Sequence, residues 1–163
     1  MHNKFPHLFA PIKIGPYVLR NRIVSAPRSL PSISVDGMMG PDEIAFFERT
    51  AQGGAAIVTL GEAIPHTATG KSHSRQVQLD NPNVLPNLAN AAKAIKRWGA
   101  LASIELSHGG KYGGLASQGG SYNIAGKAYG VSDDDTPAGH VYEMPKELIH
   151  EITEAFAKAA VVV

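Results

Sequence analysis

Three short apolar runs alternate with three amphipathic segments, and this alternation limits the fold more than any other feature of the chain. Residues 21–27 (Asn-Arg-Ile-Val-Ser-Ala-Pro) read as a buried strand stopped by Pro27, which has no N–H to donate. Residues 54–60 and 100–106 repeat the short apolar run. Between them the spacing predicts helices over 41–52 and 82–98. The first has Pro41 at its start, Asp42 and Glu43 in its first turn, and Ile44, Phe47 and Ala51 on one face. The second carries Leu85, Leu88, Ala92 and Ile95 at helical spacing and stops at Gly99. A third helix begins near Pro145, with Leu148, Ile149, Ile152, Phe156 and Ala159 on its apolar face. Ahead of the first strand, Ile12-Lys13-Ile14, a Gly15-Pro16 turn and Tyr17-Val18-Leu19 predict a small hairpin. Non-alternating strands separated by amphipathic helices imply an α/β fold with parallel pairing and right-handed crossovers.

The connections are unequal. Helix-to-strand links are one or two residues long (Gly53-Gly54, Gly99). The strand-to-helix links at 28–40, 61–81 and 107–144 take about 13, 21 and 38 residues, longer than structural connections usually need. Parallel α/β folds place their chemistry in the loops that follow the strands. This investment points to an enzyme of the barrel class rather than an interaction module.

Composition closes off other classes. The 163 residues carry 15 Lys+Arg against 14 Asp+Glu, a net charge of +1, which gives no electrostatic case for nucleic acid or an anionic membrane as partner. No cysteine is present, so disulfides, zinc–thiolate sites and a thiol nucleophile are excluded. The N-terminus lacks an apolar signal region and no window approaches 18 uncharged apolar residues, so the expectation is a soluble, cytoplasmic protein.

Several local patterns are decoys. Residues 65–72 end like a phosphate-binding loop, but Pro65 stands where the first glycine is required. The glycine pairs at 109–110, 113–114 and 119–120 make no dinucleotide fingerprint and read as a mobile loop able to approach a ligand closely. Asp133-Asp134-Asp135 lacks calcium-loop spacing and reads as a solvated turn. The seven histidines form no metal pattern, so no metal site is expected.

Three strand ends hold the candidate site. Ala26, Pro27, Arg28 and Ser29 close strand one. Gly61 and Glu62 close strand two, and Glu105, followed by His108 and Lys111, closes strand three. Small residues at Ala26 and Gly61 let a flat ligand lie against backbone, and the polar neighbours orient it. Each has a plainer reading: Pro27 ends a strand and Gly61 makes a bend. A carboxylate inside the apolar strand at Glu105 is costly unless partnered, which leaves an internal ion pair or a ligand-facing role. His108 is read equally as a loop-packing residue or a substrate-pocket residue.

Phe9-Ala10-Pro11-Ile12-Lys13-Ile14-Gly15 followed by Leu19-Arg20-Asn21-Arg22-Ile23-Val24-Ser25-Ala26-Pro27 resembles the opening of the old yellow enzyme family, the FMN-dependent ene-reductases. Gly53-Gly54-Ala55-Ala56-Ile57-Val58, the His108-Gly109-Gly110-Lys111 turn and the segment from Tyr142 to Ala157 continue the resemblance in order. Gly61-Glu62 and Glu105-Leu106-Ser107-His108 are most similar to the 2,4-dienoyl-CoA reductase and bile-acid-inducible flavin oxidoreductase branch. The resemblance implies the N-terminal portion of a TIM (β/α)8 barrel with FMN over its C-terminal mouth. It implies NADH or NADPH as reductant and an activated C=C bond, of the enone or enoate type, as substrate. Ala26, Pro27 and Arg28 would border the flavin, and Ser29 would stand where relatives carry a Thr or Cys that bonds its carbonyl. Gly61 or Glu62 would fill the small-residue position. Glu105 takes the place of a Gln that reads the flavin pyrimidine edge, and as an ionised acid it accepts only. Lys111 replaces an Arg and loses the bidentate fork.

A whole barrel takes about 250 residues and eight strands, and three strands are countable here. The expectation is therefore a partial FMN-binding barrel domain over 1–163, incomplete at its C-terminus, with the family's other site residues in a missing remainder. Alone it is expected to bind FMN poorly and turn over nothing measurable. The alternative is a non-catalytic partial barrel that associates with another chain or with itself as a homo-oligomer.

Overall fold

The computed structural model describes residues 4–30, 37–113 and 126–163. The predicted hairpin forms from β1 (Ile12–Ile14) and β2 (Tyr17–Leu19), paired Ile12 to Leu19 across the turn at Gly15. The three apolar runs become β3 (Val24–Arg28), β4 (Ile57–Ala63) and β5 (Leu101–Leu106), a parallel sheet in the order β3-β4-β5. The register runs Val24–Ile57–Leu101 and Ser25–Val58–Ala102.

Helix α1 (Pro41–Gln52) keeps the sequence-predicted bounds, with Pro41 at its N-terminus and Gly53 capping the last turn. A short helix α2 (Thr67–Gly70) follows β4. A 3-10 turn over Pro82–Val84 leads into α3 (Leu85–Lys96). Phe47 and Ala51 of α1, Val58 and Leu60 of β4, and Ala91 and Ile95 of α3 bury into one cluster with Met39, Val77 and Val84. That cluster covers one face of the sheet. On β5, Ala102 and Ile104 pack toward it while Ser103 and Glu105 are exposed.

At the foot of the sheet, Arg20 ties the helix ends together. Its guanidinium donates to Trp98 O (2.6 Å), Ala51 O (3.0 Å) and Ala55 O (2.7 Å). Asn21, 6% exposed, donates to Gly54 O and accepts from Ile23 N. Ala51 O, in the last turn of α1, also accepts from the Gly54 N–H, so the helix end and the entry to β4 are fixed together.

The structure differs from the sequence reading in four places. Strand one is not buried: Val24 is 52% exposed, because β3 is an edge of the sheet and no helix covers its other face among the described residues. The strand also continues through Pro27 to Arg28, with a register shift between Ser25 and Arg28 that takes up the missing N–H. The link at 61–81 is packed structure rather than open loop. Ile64 N donates to Val77 O, Leu79 N donates to Ile64 O, and Ile64, Gln76 and Val77 are all buried. The long link after β5 contains a second sheet of β6 (Ala128–Gly130), β7 (Asp134–Thr136) and β8 (Gly139–Glu143), ordered β6-β8-β7, around a small cluster of Ala128, Val141 and Ala138. The glycine pair at 119–120 and Gly114 lie outside the described residues.

The last helix, α4 (Lys146–Val162), starts one residue after Pro145. It buries Ala159, half-buries Leu148, Ile152 and Phe156, and leaves Ile149 exposed. No helix among the described residues is long and apolar enough to cross a membrane.

Candidate functional site

The strand ends do come together at one edge of the sheet. β4 bends there. Its pairing with β5 shifts between Leu60 and Ala63, and Glu62 sits in the left-handed region at φ 55°, the single non-glycine residue with positive φ among those described. A Cβ built on Gly61 would come within 2.6 Å of the Arg28 carbonyl carbon and 2.9 Å of its Cα. The bare backbone at Gly61 therefore serves the close crossing of β3 over β4.

Glu62 is held at three points. Its N–H donates to Glu105 Oε2 (3.2 Å). Its Oε2 lies 2.6 Å from His73 Nε2 and accepts from Gln76 Nε2 (3.1 Å). Gln76 is 1% exposed and its Oε1 accepts from the N–H groups of Ser72 and His73. The amide of Gln76 thus locks the 72–76 turn to the end of β4. Glu105 itself is exposed, and no bond to its other carboxylate oxygen occurs among the described residues.

Next to this cluster the loops after β4 and β5 are stitched together. Gly110 N donates to His108 Nδ1 (3.0 Å), which leaves the ring proton on Nε2, 2.9 Å from Thr69 Oγ1. Thr69 Oγ1 is also 2.8 Å from His66 Nδ1, and His66 Nε2 meets Glu151 of α4 at 3.3 Å. Burial, and then the neighbouring His66, push the His108 pKa below its ordinary value, in keeping with a neutral ring. Gly109 N donates to Gly70 O at 2.7 Å, and a Cβ on Gly70 would strike the His108 ring at 2.7 Å. Both ring nitrogens of His108 are engaged within the chain.

The remaining candidates are placed as follows. Ala26 and Pro27 are exposed on β3. The Arg28 guanidinium lies over the Phe46 ring of α1 at 5.6 Å, and Ser29 Oγ donates to Arg75 O at 3.5 Å. Lys111, in the 3-10 turn Gly110–Tyr112, is exposed with its ammonium over the Tyr112 ring. Asp133 and Asp135 flank His140 of β8, and the hydrogen bond that the ring donates to Asp135, 2.7 Å away, raises the His140 pKa. No three His, Cys, Asp or Glu side chains converge on a metal-sized site among the described residues. A groove of about 440 Å³ lies elsewhere, between α3 and the end of α4 against Leu85, Leu88, Ile104 and Val163.

Sequence reasoning missed two members of the cluster. His73 and Gln76 carry no motif. The signal was present only in retrospect, as a polar residue (Gln76) beside Val77 and Leu79 in a segment that packs.

Three parallel βα units, with short links at one end and a polar cluster at the other, have the architecture of part of a (β/α) barrel. The comparisons with known proteins agree. The chain belongs to the NADH:flavin oxidoreductase / NADH oxidase family, whose model matches residues 7–162. It is 27% identical over 161 residues to an NADH oxidase of Thermoanaerobacter brockii, covering 96% of this chain and 24% of that protein. It is 28% identical over 143 residues to an NADH:acrylate oxidoreductase of Vibrio harveyi, covering 86% of this chain and 14% of that one. Among solved structures, a 2-naphthoyl-CoA reductase in complex with 2-naphthoyl-CoA superposes with a TM-score of 0.86 at 27% identity, over 96% of this chain and 25% of the other. The chain thus spans about a quarter or less of the length of these relatives.

Proposed function

We propose that residues 1–163 form one partial barrel domain and supply the β3–β5 side of an FMN-binding mouth, in an oxidoreductase that takes hydride from NADH or NADPH and reduces an activated C=C bond of the enone or enoate type. The observation that carries this reading is Glu105: an exposed carboxylate at the mouth, anchored through Oε2 by one peptide N–H, with its other oxygen open to a ligand N–H. The name of the acrylate-reducing relative supports the alkene class of substrate.

The residues present fit such a group. Ala26 and Pro27 give a small, flat, exposed surface at the end of β3. Glu105 is an acceptor only when ionised and suits an imide N–H. Lys111 sets a positive charge at the following turn. Gly61 is filled from behind by the Arg28 backbone, so its role is to let β3 pass. His108, with both nitrogens engaged, supports the loop that carries Lys111. Held by these residues, FMN would supply the hydride relay between nicotinamide and the alkene β-carbon, the α-carbon taking a proton, while the protein supplies orientation and electrostatics.

The test is titration of FMN with the 163-residue chain, read by flavin fluorescence. Saturable quenching, weakened by Glu105→Leu and without NADH turnover, is the expected result. Quenching that fails to saturate, or is equal in both proteins, overturns the reading.

A further inference from the structure

The strained residue at the end of β4 has a use that the flavin reading does not assign. We propose that Glu62 is a positioning residue: its side chain, clamped by His73 and Gln76, holds its backbone in the left-handed form, and that form aims its N–H at Glu105 so that one carboxylate oxygen is fixed and the other is presented to a ligand N–H. The proposal rests on the flavin reading for the identity of that ligand.

Four observations carry it. A side chain other than glycine at φ 55° is unfavourable, and such strain persists only where surrounding contacts impose it. The contacts that impose it are on hand: His73 Nε2 at 2.6 Å and the fully buried Gln76 at 3.1 Å both engage the same oxygen, Oε2. The register shift between Leu60 and Ala63 frees the N–H of Glu62 from the β4–β5 ladder, so it can serve a side chain instead of a strand. The acceptor it serves, Glu105, has no other hydrogen bond among the described residues. A free carboxylate on an exposed strand end would rotate among several rotamers; one bonded at Oε2 keeps a narrow set of directions for its second oxygen.

Two substitutions separate backbone from side chain. Glu62→Ala and Glu62→Gly both lose the ties to His73 and Gln76, but only glycine tolerates the left-handed conformation without a steric penalty. The readouts are the scalar coupling across the hydrogen bond between the Glu62 amide nitrogen and the Glu105 carboxyl carbon, measured by NMR on the 163-residue chain, and FMN affinity by fluorescence quenching. The wild type is expected to show the coupling. Glu62→Gly should keep it and bind FMN within about 3-fold of wild type. Glu62→Ala should lose it and bind at least 10-fold more weakly. A conservative Glu62→Asn, which also accepts positive φ, should behave as glycine does.

The proposal is overturned if the wild type lacks the coupling, if the alanine variant keeps it, or if the coupling disappears with no change in affinity. A wild type that shows the coupling yet does not quench FMN overturns the flavin reading alone, and the coupling in the variants still decides whether Glu62 positions Glu105. Thermal melts of the variants separate a local effect from unfolding.

Discussion

Thr69 Oγ1 stands 2.9 Å from His108 Nε2 and joins the segment after β4 to the turn after β5. Because Gly110 N–H already occupies His108 Nδ1, the ring has one direction in which to donate, and Thr69 receives it.

Thr69→Val removes that acceptor while keeping shape. The ring N–H is left without its partner in a half-buried site, at a cost of roughly 1–2 kcal/mol. Urea unfolding should show this loss, Thr69→Ser should restore most of it, and nitrogen chemical shifts of the His108 ring should report a mixture of tautomers in the valine variant. An unchanged midpoint and an unchanged single tautomer would count against the assignment.

Glu43 makes stability depend on pH. It is 2% exposed on the face of α1 that carries Phe47 and Ala51, its Oε2 has no hydrogen-bond partner among the described residues, and burial pushes its pKa from 4.5 up to about 7. The folded state therefore holds the proton more tightly than the unfolded state. The stabilisation is complete below about pH 4.5 and is lost as pH rises to about 7, by on the order of 3 kcal/mol. Glu43→Gln should flatten this part of the profile and unfold at higher denaturant than wild type at pH 8. A parallel decline in both proteins would remove Glu43 as the source.

Gly61→Ala forces a methyl group against the Arg28 backbone, where the Cα would be 2.9 Å away. Neither strand can yield without breaking ladder bonds, so the expected cost is roughly 2–3 kcal/mol, at the level of overpacked cores. Chemical denaturation checks this, and a loss under about 0.5 kcal/mol, typical of surface changes, would show that β3 can move away.

Arg20 bonds three carbonyl oxygens contributed by the ends of α1 and α3 and by the start of the β4 segment. Its exposure moderates the effect, and Arg20→Ala should cost roughly 1–3 kcal/mol. Arg20→Lys should recover little of it, because a point ammonium cannot span three acceptors set for a planar fork. Equal melting temperatures for wild type and lysine variant would contradict this.

The main elements were legible because their periods and stop signals agree. Pro41 and Gly53 bracket α1, Gly99 ends the second helix region, and the apolar runs at β4 and β5 cannot be mistaken for amphipathic surface. The candidate strand ends were legible for the same topological reason. What escaped was tertiary. Asp42 and Glu43 read alike as first-turn acids, yet Glu43 lies four residues before Phe47 and eight before Ala51, so the helix turns it into the core. The β7–β8 hairpin was written in the alternation of His140, Val141 and Tyr142 behind the Thr136–Gly139 turn, but a long polar segment obscured it. Nothing local shows that Glu62 adopts a left-handed conformation; that follows from partners 11 and 14 residues away.

The two hydrophobic clusters are very unequal, and this sets how the protein opens. The cluster under the β3-β4-β5 sheet joins helices and strands into one cooperative unit, whereas the β6-β8-β7 sheet rests on Ala128, Val141 and Ala138. A sheet with so little apolar area is near the limit of independent stability. Its amides should exchange with solvent through local fluctuations while those of β4 wait for global unfolding. Since β6 abuts the Gly110–Tyr112 turn, opening of the small sheet is expected to loosen that turn first, while β4 and β5 keep their places.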